Sequence, residues 1–434
     1  MTPAILGRLA LVGAVAALAV PATAAANEVT SWNAIAQDTV LAQPPVTSSP
    51  QATSIFMAMV QGAVYGAVNA IDRHHRPYLV FRRVDRRASQ EAAVATAAFR
   101  VLDTVFPAQH DVLQAHYDAS LAGIAEGRAK EQGIEAGEAA AGAMLAQGHD
   151  ARAPLPCLFG NDPGDWRPLL AANGSPMCDP SAWVASTPPF LLRSPSQFRT
   201  DGPNPLTSAA YARDVNEVEE LGALDSATRT PEQTHAAVFW QTNAPATWNG
   251  VLRRVADDQS RPLDVADTAL LFAMVDLSGA DAIINCWNDK YYWSFWRPIT
   301  AIREADTDGN PATVADRDWR PLFDPSLDPL VGGVGPALVT PPFPDHPSGH
   351  LCLSTATLDS LGAFLGTDRV DFYVTSGRFP GEQRHFSRLS DAIAELVEAR
   401  VWGGIHFRTA DEQGSRLGRR VARWALTHYF MPLR

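Results

Sequence analysis

Lysine is almost missing from this 434-residue chain: Lys130 and Lys290 are the only two, and arginine supplies the other basic side chains. Positive charge is scarce as well, with 47 acidic residues against 35 basic ones and a net charge of −12. An acidic balance of that size argues against nucleic acid, which needs a cationic face. Beyond the N-terminal segment, no stretch reaches the ~20 consecutive apolar residues of a membrane span. Strand-like alternation is rare and there is no internal repeat, which excludes solenoids and most all-β architectures. Cysteine is limited to Cys157, Cys178, Cys286 and Cys352.

The first residues, MTPAILGRLALVGAVAALAVPATAAANE, carry one early cation (Arg8), an apolar run and small residues. They read as a secretory signal peptide over residues 1–26, cleaved near Ala24 or Ala26, with no twin arginine ahead of the apolar run. The expected destination is therefore secreted or periplasmic. In such a compartment Cys157 and Cys178, which share a loop-like region, are expected to form a disulfide. Cys286 and Cys352 are either a second pair or two buried thiols.

Apolar residues recur at helical spacing over most of the chain, so the expected fold class is all-α with two helical bundles. Residues 27–206 hold four consecutive helical segments and then, from about 152, a stretch rich in Pro, Gly, Asn and Ser. Helical periodicity resumes in residues 207–434, where the chemistry is concentrated.

Three stretches carry that chemistry. In CWNDKYYWSFWRP, Lys290 and Arg297 are seven residues apart, which on one continuous helix puts both on one face about 10 Å apart. The aromatic residues around them imply burial, and a buried cation must find an anion. In PPFPDHPSGH, prolines stiffen the approach to a helix that Ser348 is placed to cap. A helix N-terminus offers free N–H groups to an oxyanion, Gly349 lets it come close, and His350 stands beside it to move protons. In ARVWGGIHFRTAD, the Gly403–Gly404 break allows Arg400 and His406 to face one point. Together these residues describe a cradle for a tetrahedral oxyanion, with one histidine to bond its centre and another for proton transfer.

The order Lys-x6-Arg-Pro, Pro-Ser-Gly-His, Arg-x5-His resembles the signature shared by vanadium-dependent haloperoxidases and PAP2-type acid phosphatases. The resemblance covers about a quarter of the chain and implies an active site in the C-terminal bundle. It implies vanadate as cofactor, bonded to His406 and held by Lys290, Arg297, Ser348, Gly349 and Arg400, with His350 as acid–base. It further implies oxidation of halide by hydrogen peroxide to hypohalous acid, and admits a small organic substrate as a further partner. The chain length, the N-terminal bundle and two aromatic residues at halide-site positions, Trp287 and Phe343, favour this chemistry. The alternative is an exported phosphatase with His406 as nucleophile and His350 as general acid. A helical protein that binds the oxyanion without turnover is a third reading. Ala399 stands where the family usually has serine, and Asp411 lies five residues after His406 rather than four. Asp411 is the expected second-layer partner of His406, with a backbone carbonyl as the other candidate.

Overall fold

The computed structural model describes residues 27–433 apart from 172, 259, 261 and 325–337; the leader expected over 1–26 lies outside the described residues. The described chain is mostly helical. The N-terminal part runs through α1 (Glu28–Leu41), α2 (Pro45–Ser48), α3 (Pro50–Asp72), α4 (Gln90–Val105), α5 (His110–Ala122) and α6 (Arg128–Leu145). The second part comprises α7 (Ala209–Leu221), α8 (Pro231–Phe239), α9 (Ala244–Ala256), α10 (Val265–Trp293), α11 (Pro298–Arg303), α12 (Gly349–Leu365), α13 (Leu389–Trp402) and α14 (Arg408–His428).

These helices begin where local chemistry tells them to. Ser49, Ser89, Ser208, Asn243 and Asp264 each cap the first turn of a helix, and Thr230 with Gln233 forms a full capping box on α8. Helices α3 and α10 are long and apolar enough to cross a membrane by length and composition, yet the apolar stretch of each is buried inside the protein. They pack on one another, and α10 also packs on α12 and α14, so one hydrophobic core runs from the first bundle into the second. Burying a helix on all sides explains its all-round hydrophobicity.

Buried polar groups fasten this core. The Asp281 carboxylate on α10 accepts the backbone N–H groups of Phe190, Leu191 and Leu192 at 2.6–2.7 Å, tying the irregular excursion to the central helix. Burial holds that carboxyl up at about 7, with the three N–H bonds opposing the shift. Cys157 and Cys178 are joined in a disulfide, whereas Cys286 and Cys352 are free, buried thiols on facing helices α10 and α12.

Two features depart from the sequence reading. Phe372–Ser376 and Phe379–Phe386 form an antiparallel hairpin, β1–β2, with a register shift at Thr375/Ser376. Its second strand is largely exposed and lacks apolar alternation, so no strand signal was legible. Helix α10 also stops at Trp293, because Ser294 turns left-handed (φ 44°, ψ 41°), and Arg297 lies beyond it. Lys290 and Arg297 therefore do not share a helical face.

The disulfide closes a loop with a sequence separation of 21. Replacing both cysteines by serine should lower unfolding free energy by about 3 kcal/mol in the loop-entropy account. Denaturant unfolding of mutant and parent under non-reducing conditions checks this; equal midpoints would mean the excursion is held entirely by contacts such as that of Asp281.

Candidate active site

The chemistry-bearing side chains of the three motifs gather around one cavity of about 210 Å³ at the α10–α12–α13 junction, or directly beneath it; most are buried, and His350 and Phe343 are half-buried. Trp287, Phe343, Gly349, His350, Arg400 and His406 line the cavity. Lys290 and Ser348 are 0% exposed and Arg297 is 1% exposed, deeper in the same cluster.

Lys290 sits in the last turn of α10 and donates to the carbonyls of Pro344 and Asp345, each at 2.9 Å. These bonds fix the proline-rich approach to α12. Burial, followed by the nearby Arg297, pulls the ammonium down to about 8. Arg297 reaches the cluster from the connection between α10 and α11. Pro298 keeps Arg297 extended (φ −84°, ψ 159°), and the bonds Trp166 N–Ser294 O and Trp296 N–Gly164 O hold the segment in place. Its Nε donates to Phe343 O at 2.8 Å and its Nη1 to Ile405 O at 2.6 Å.

Arg400 lies in the last turn of α13 and donates through Nη1 to Gln241 Oε1 at 3.0 Å. Gly404 then takes φ 71°, and a Cβ there would meet Gly222 O at 2.5 Å, so the turn that brings His406 back requires glycine.

His406 is 2% exposed, and its Nδ1 is 2.7 Å from Asp345 Oδ1. When Asp345 is ionised its carboxylate can only accept, so Nδ1 then carries the proton and Nε2 keeps its lone pair. The Nε2 atom lies 3.2 Å from Arg297 Nη1. Burial first, then Arg297 and Lys290, keeps the imidazole neutral by pushing its pKa well down. The same sequence of burial and then Arg400 acts on His350, whose ring is hydrogen-bonded by the Thr242 backbone.

Asp411 is not the partner of His406. It lies beside Ser348 and Arg400, and burial drives its carboxyl well up while Ser348 and Arg400 oppose the shift. Its place on α14 explains the difference: Ser348 N bonds Ala410 O at 3.0 Å, which sets Asp411 against the mouth of α12. Asp345, inside PPFPDHPSGH, takes the role instead and is held up at about 7 by burial, with Arg297 and Lys290 opposing. A carboxylate in a motif surrounded by cations was the available signal, and the sequence reading passed over it.

Ser348 stands at the N-cap position of α12 without giving its hydroxyl to the helix. The first-turn N–H groups of α12 are thus left for another acceptor. Gly349 has a further reason to be glycine: a Cβ there would meet the Trp287 ring at 2.8 Å. Trp287 and Phe343 pack at 5.1 Å, and Lys290 Nζ lies 5.6 Å and 5.1 Å from their ring centres. His346, close in sequence, hydrogen-bonds Thr200 at 3.2 Å and does not line the cavity.

The donor set decides what fits. Among the described residues no three His, Cys, Asp or Glu side chains gather as a metal-ligand group. What converges is two neutral imidazoles and several cations. Arg297 Nη2, Arg400 Nε and Nη2, and His350 Nε2 are buried without a hydrogen-bond partner among the described residues. Buried guanidinium donors without a partner call for an anion with several oxygens. A tetrahedral oxyanion such as vanadate fits that set.

The chain is similar to known proteins in sequence and in fold. Residues 270–433 match the family described as the VCPO second helical-bundle domain. Vanadium chloroperoxidase of Curvularia inaequalis is 33% identical over 153 residues, which is 32% of this chain and 24% of that protein. The match thus spans about a quarter of that relative's length. The crystal structure of the first bacterial vanadium-dependent iodoperoxidase superposes with a TM-score of 0.74 over 93% of this chain and 98% of that one, at 22% identity. A holo bacterial vanadium-dependent chloroperoxidase gives 0.67 over 90% and 94%, at 20% identity. The chain therefore has the double helical-bundle fold of the vanadium haloperoxidases.

Two outcomes test the electrostatics of the site. The Lys290 ammonium is charged below about 8 and neutral above it, so affinity for tungstate, whose own charge is constant there, should fall as pH rises through about 8. Isothermal titration across that range reads the effect, and a flat profile would remove Lys290 from the cradle. Asp345→Asn should weaken oxyanion affinity by roughly 10–100-fold, because the imidazole loses the charged carboxylate that sets its tautomer and meets an amide that can also donate. Parent-like affinity in that variant would mean that another group orients His406.

Proposed function

We propose that this protein is a vanadate-dependent haloperoxidase, oxidising halide with hydrogen peroxide to hypohalous acid. The observation that carries the reading is the cluster of buried, unpartnered guanidinium donors facing a neutral imidazole whose other nitrogen is held by a carboxylate. The fold shared with vanadium haloperoxidases supports it.

In this reading His406 Nε2 is the group that bonds the vanadium of vanadate, and Lys290, Arg297, Arg400, Ser348 and the Gly349 N–H hold its oxygens. Vanadate, when bound, supplies a Lewis acid that activates hydrogen peroxide toward halide without a change of oxidation state. The chain's own residues do the rest. Asp345 fixes the His406 tautomer and orientation. The cations stabilise negative charge in a site that water reaches poorly. His350 is neutral and Nε2 is free, so it can take the proton of incoming hydrogen peroxide and return one later. Trp287 and Phe343 form the apolar wall on which the halide approaches. We place the protein outside the cytoplasm, consistent with the leader-like N-terminus and the Cys157–Cys178 disulfide.

Metal-free protein incubated with orthovanadate or with phosphate tests this directly. Peroxide-dependent bromination of a reporter should appear with vanadate alone and be suppressed by phosphate. Hydrolysis of an aryl phosphate with no bromination would contradict the proposal. Arg400→Ala should weaken vanadate binding by ~1.5–3 kcal/mol, or roughly 10–150-fold, as expected for a buried charge-assisted contact. His350→Ala should abolish turnover while binding persists; turnover at the parent rate would take His350 out of the reaction.

A further inference from the structure

Trp287 lines the cavity, yet its indole N–H is not offered to it. Nε1 donates to Asp179 Oδ2 at 2.7 Å, and the Tyr291 hydroxyl donates to the same oxygen at 3.2 Å. The other oxygen, Oδ1, accepts Gln51 Nε2 at 2.9 Å and Ser181 N at 2.8 Å. Four donors thus fill one carboxylate, and three of them are side chains from α3 and α10. Asp179 immediately follows Cys178, so the disulfide pins the excursion at the point where this carboxylate meets the core. The far side of the indole is equally constrained. Its Cζ3 and Cη2 atoms leave no room for a side chain at 349, and its ring packs on Phe343 and Lys290. A charge-assisted bond at one end and close packing at the other leave the ring one orientation.

We infer that Asp179 is a positioning and specificity residue: it holds the Trp287 N–H out of the cavity, so that the halide meets aromatic carbon and no indole donor. This rests on the haloperoxidase reading. A wall without a donor cannot repay the cost of stripping water from a small, strongly hydrated anion. Bromide and iodide are therefore favoured over chloride, and the preference is set by a residue of the N-terminal excursion and not by the motif blocks.

The test uses full-length protein with ¹⁵N-labelled indole, in which the Trp287 Nε1–H signal is identified by its loss in Trp287→Phe. In Asp179→Ala that signal should move and exchange with solvent faster. The variant should raise KM for bromide and improve chloride relative to bromide, each by about tenfold, the size of one such hydrogen bond. Its kcat and vanadate affinity should stay near parent values, and its effect on KM should vanish in the Trp287→Phe background. Asp179→Asn, which keeps the shape and one acceptor, should lie between. An unmoved Trp287 signal overturns the inference, as does a KM effect that persists without the indole. If no halide is oxidised by the parent, the haloperoxidase reading fails on that result, and the Trp287 signal still decides whether Asp179 holds the N–H.

Discussion

Three fully buried cations with too few partners are the constraint on which the rest of the site depends. Lys290, Arg297 and Arg400 sit where water cannot solvate them, and removing a charged group from water costs several kcal/mol unless it is compensated. The protein compensates in part with carbonyls, with Asp345 and with Asp411. What it leaves open, two guanidinium faces and the first turn of α12, has the form of a tetrahedral oxyanion's complement. The neutral state of His350 and His406 follows from the same field, since burial and neighbouring cations both disfavour a third kind of positive charge.

The fold serves this arrangement by bringing four separate segments to one point. Helix α10 supplies Lys290 and Trp287, its left-handed end at Ser294 releases Arg297, the glycine turn after α13 returns His406, and the mouth of α12 brings Ser348, Gly349 and His350. The first bundle is more than a support. Through Gln51 on α3 and Asp179 in the excursion, it reaches the aromatic wall of the cavity.

The sequence made the motif blocks and most helix spans legible, because apolar periodicity and caps are local signals. The Gly403–Gly404 break read from the sequence falls where α13 ends, at Trp402. Helix α1 was harder to see, since Thr30, Asn33 and Thr39 occupy buried positions and thin the apolar pattern. The hairpin at 372–386 hid for a different reason, since its second strand is largely exposed and carries no apolar alternation. Within the site, what could not be read was pairing across the chain. Asp345 was in view but its partner lay 61 positions away, and Asp411, judged by spacing from His406, turned out to face Ser348. A seven-residue spacing placed Lys290 and Arg297 together for the wrong reason: they converge because the helix ends between them.

X-ray absorption at the vanadium edge tests the central claim most directly, because it reports what touches the metal whether or not turnover occurs. Protein loaded with orthovanadate should show one imidazole nitrogen in an otherwise oxygen shell, and His406→Ala should lose that nitrogen. An all-oxygen shell in the parent protein, or a nitrogen that survives in His406→Ala, would contradict the account.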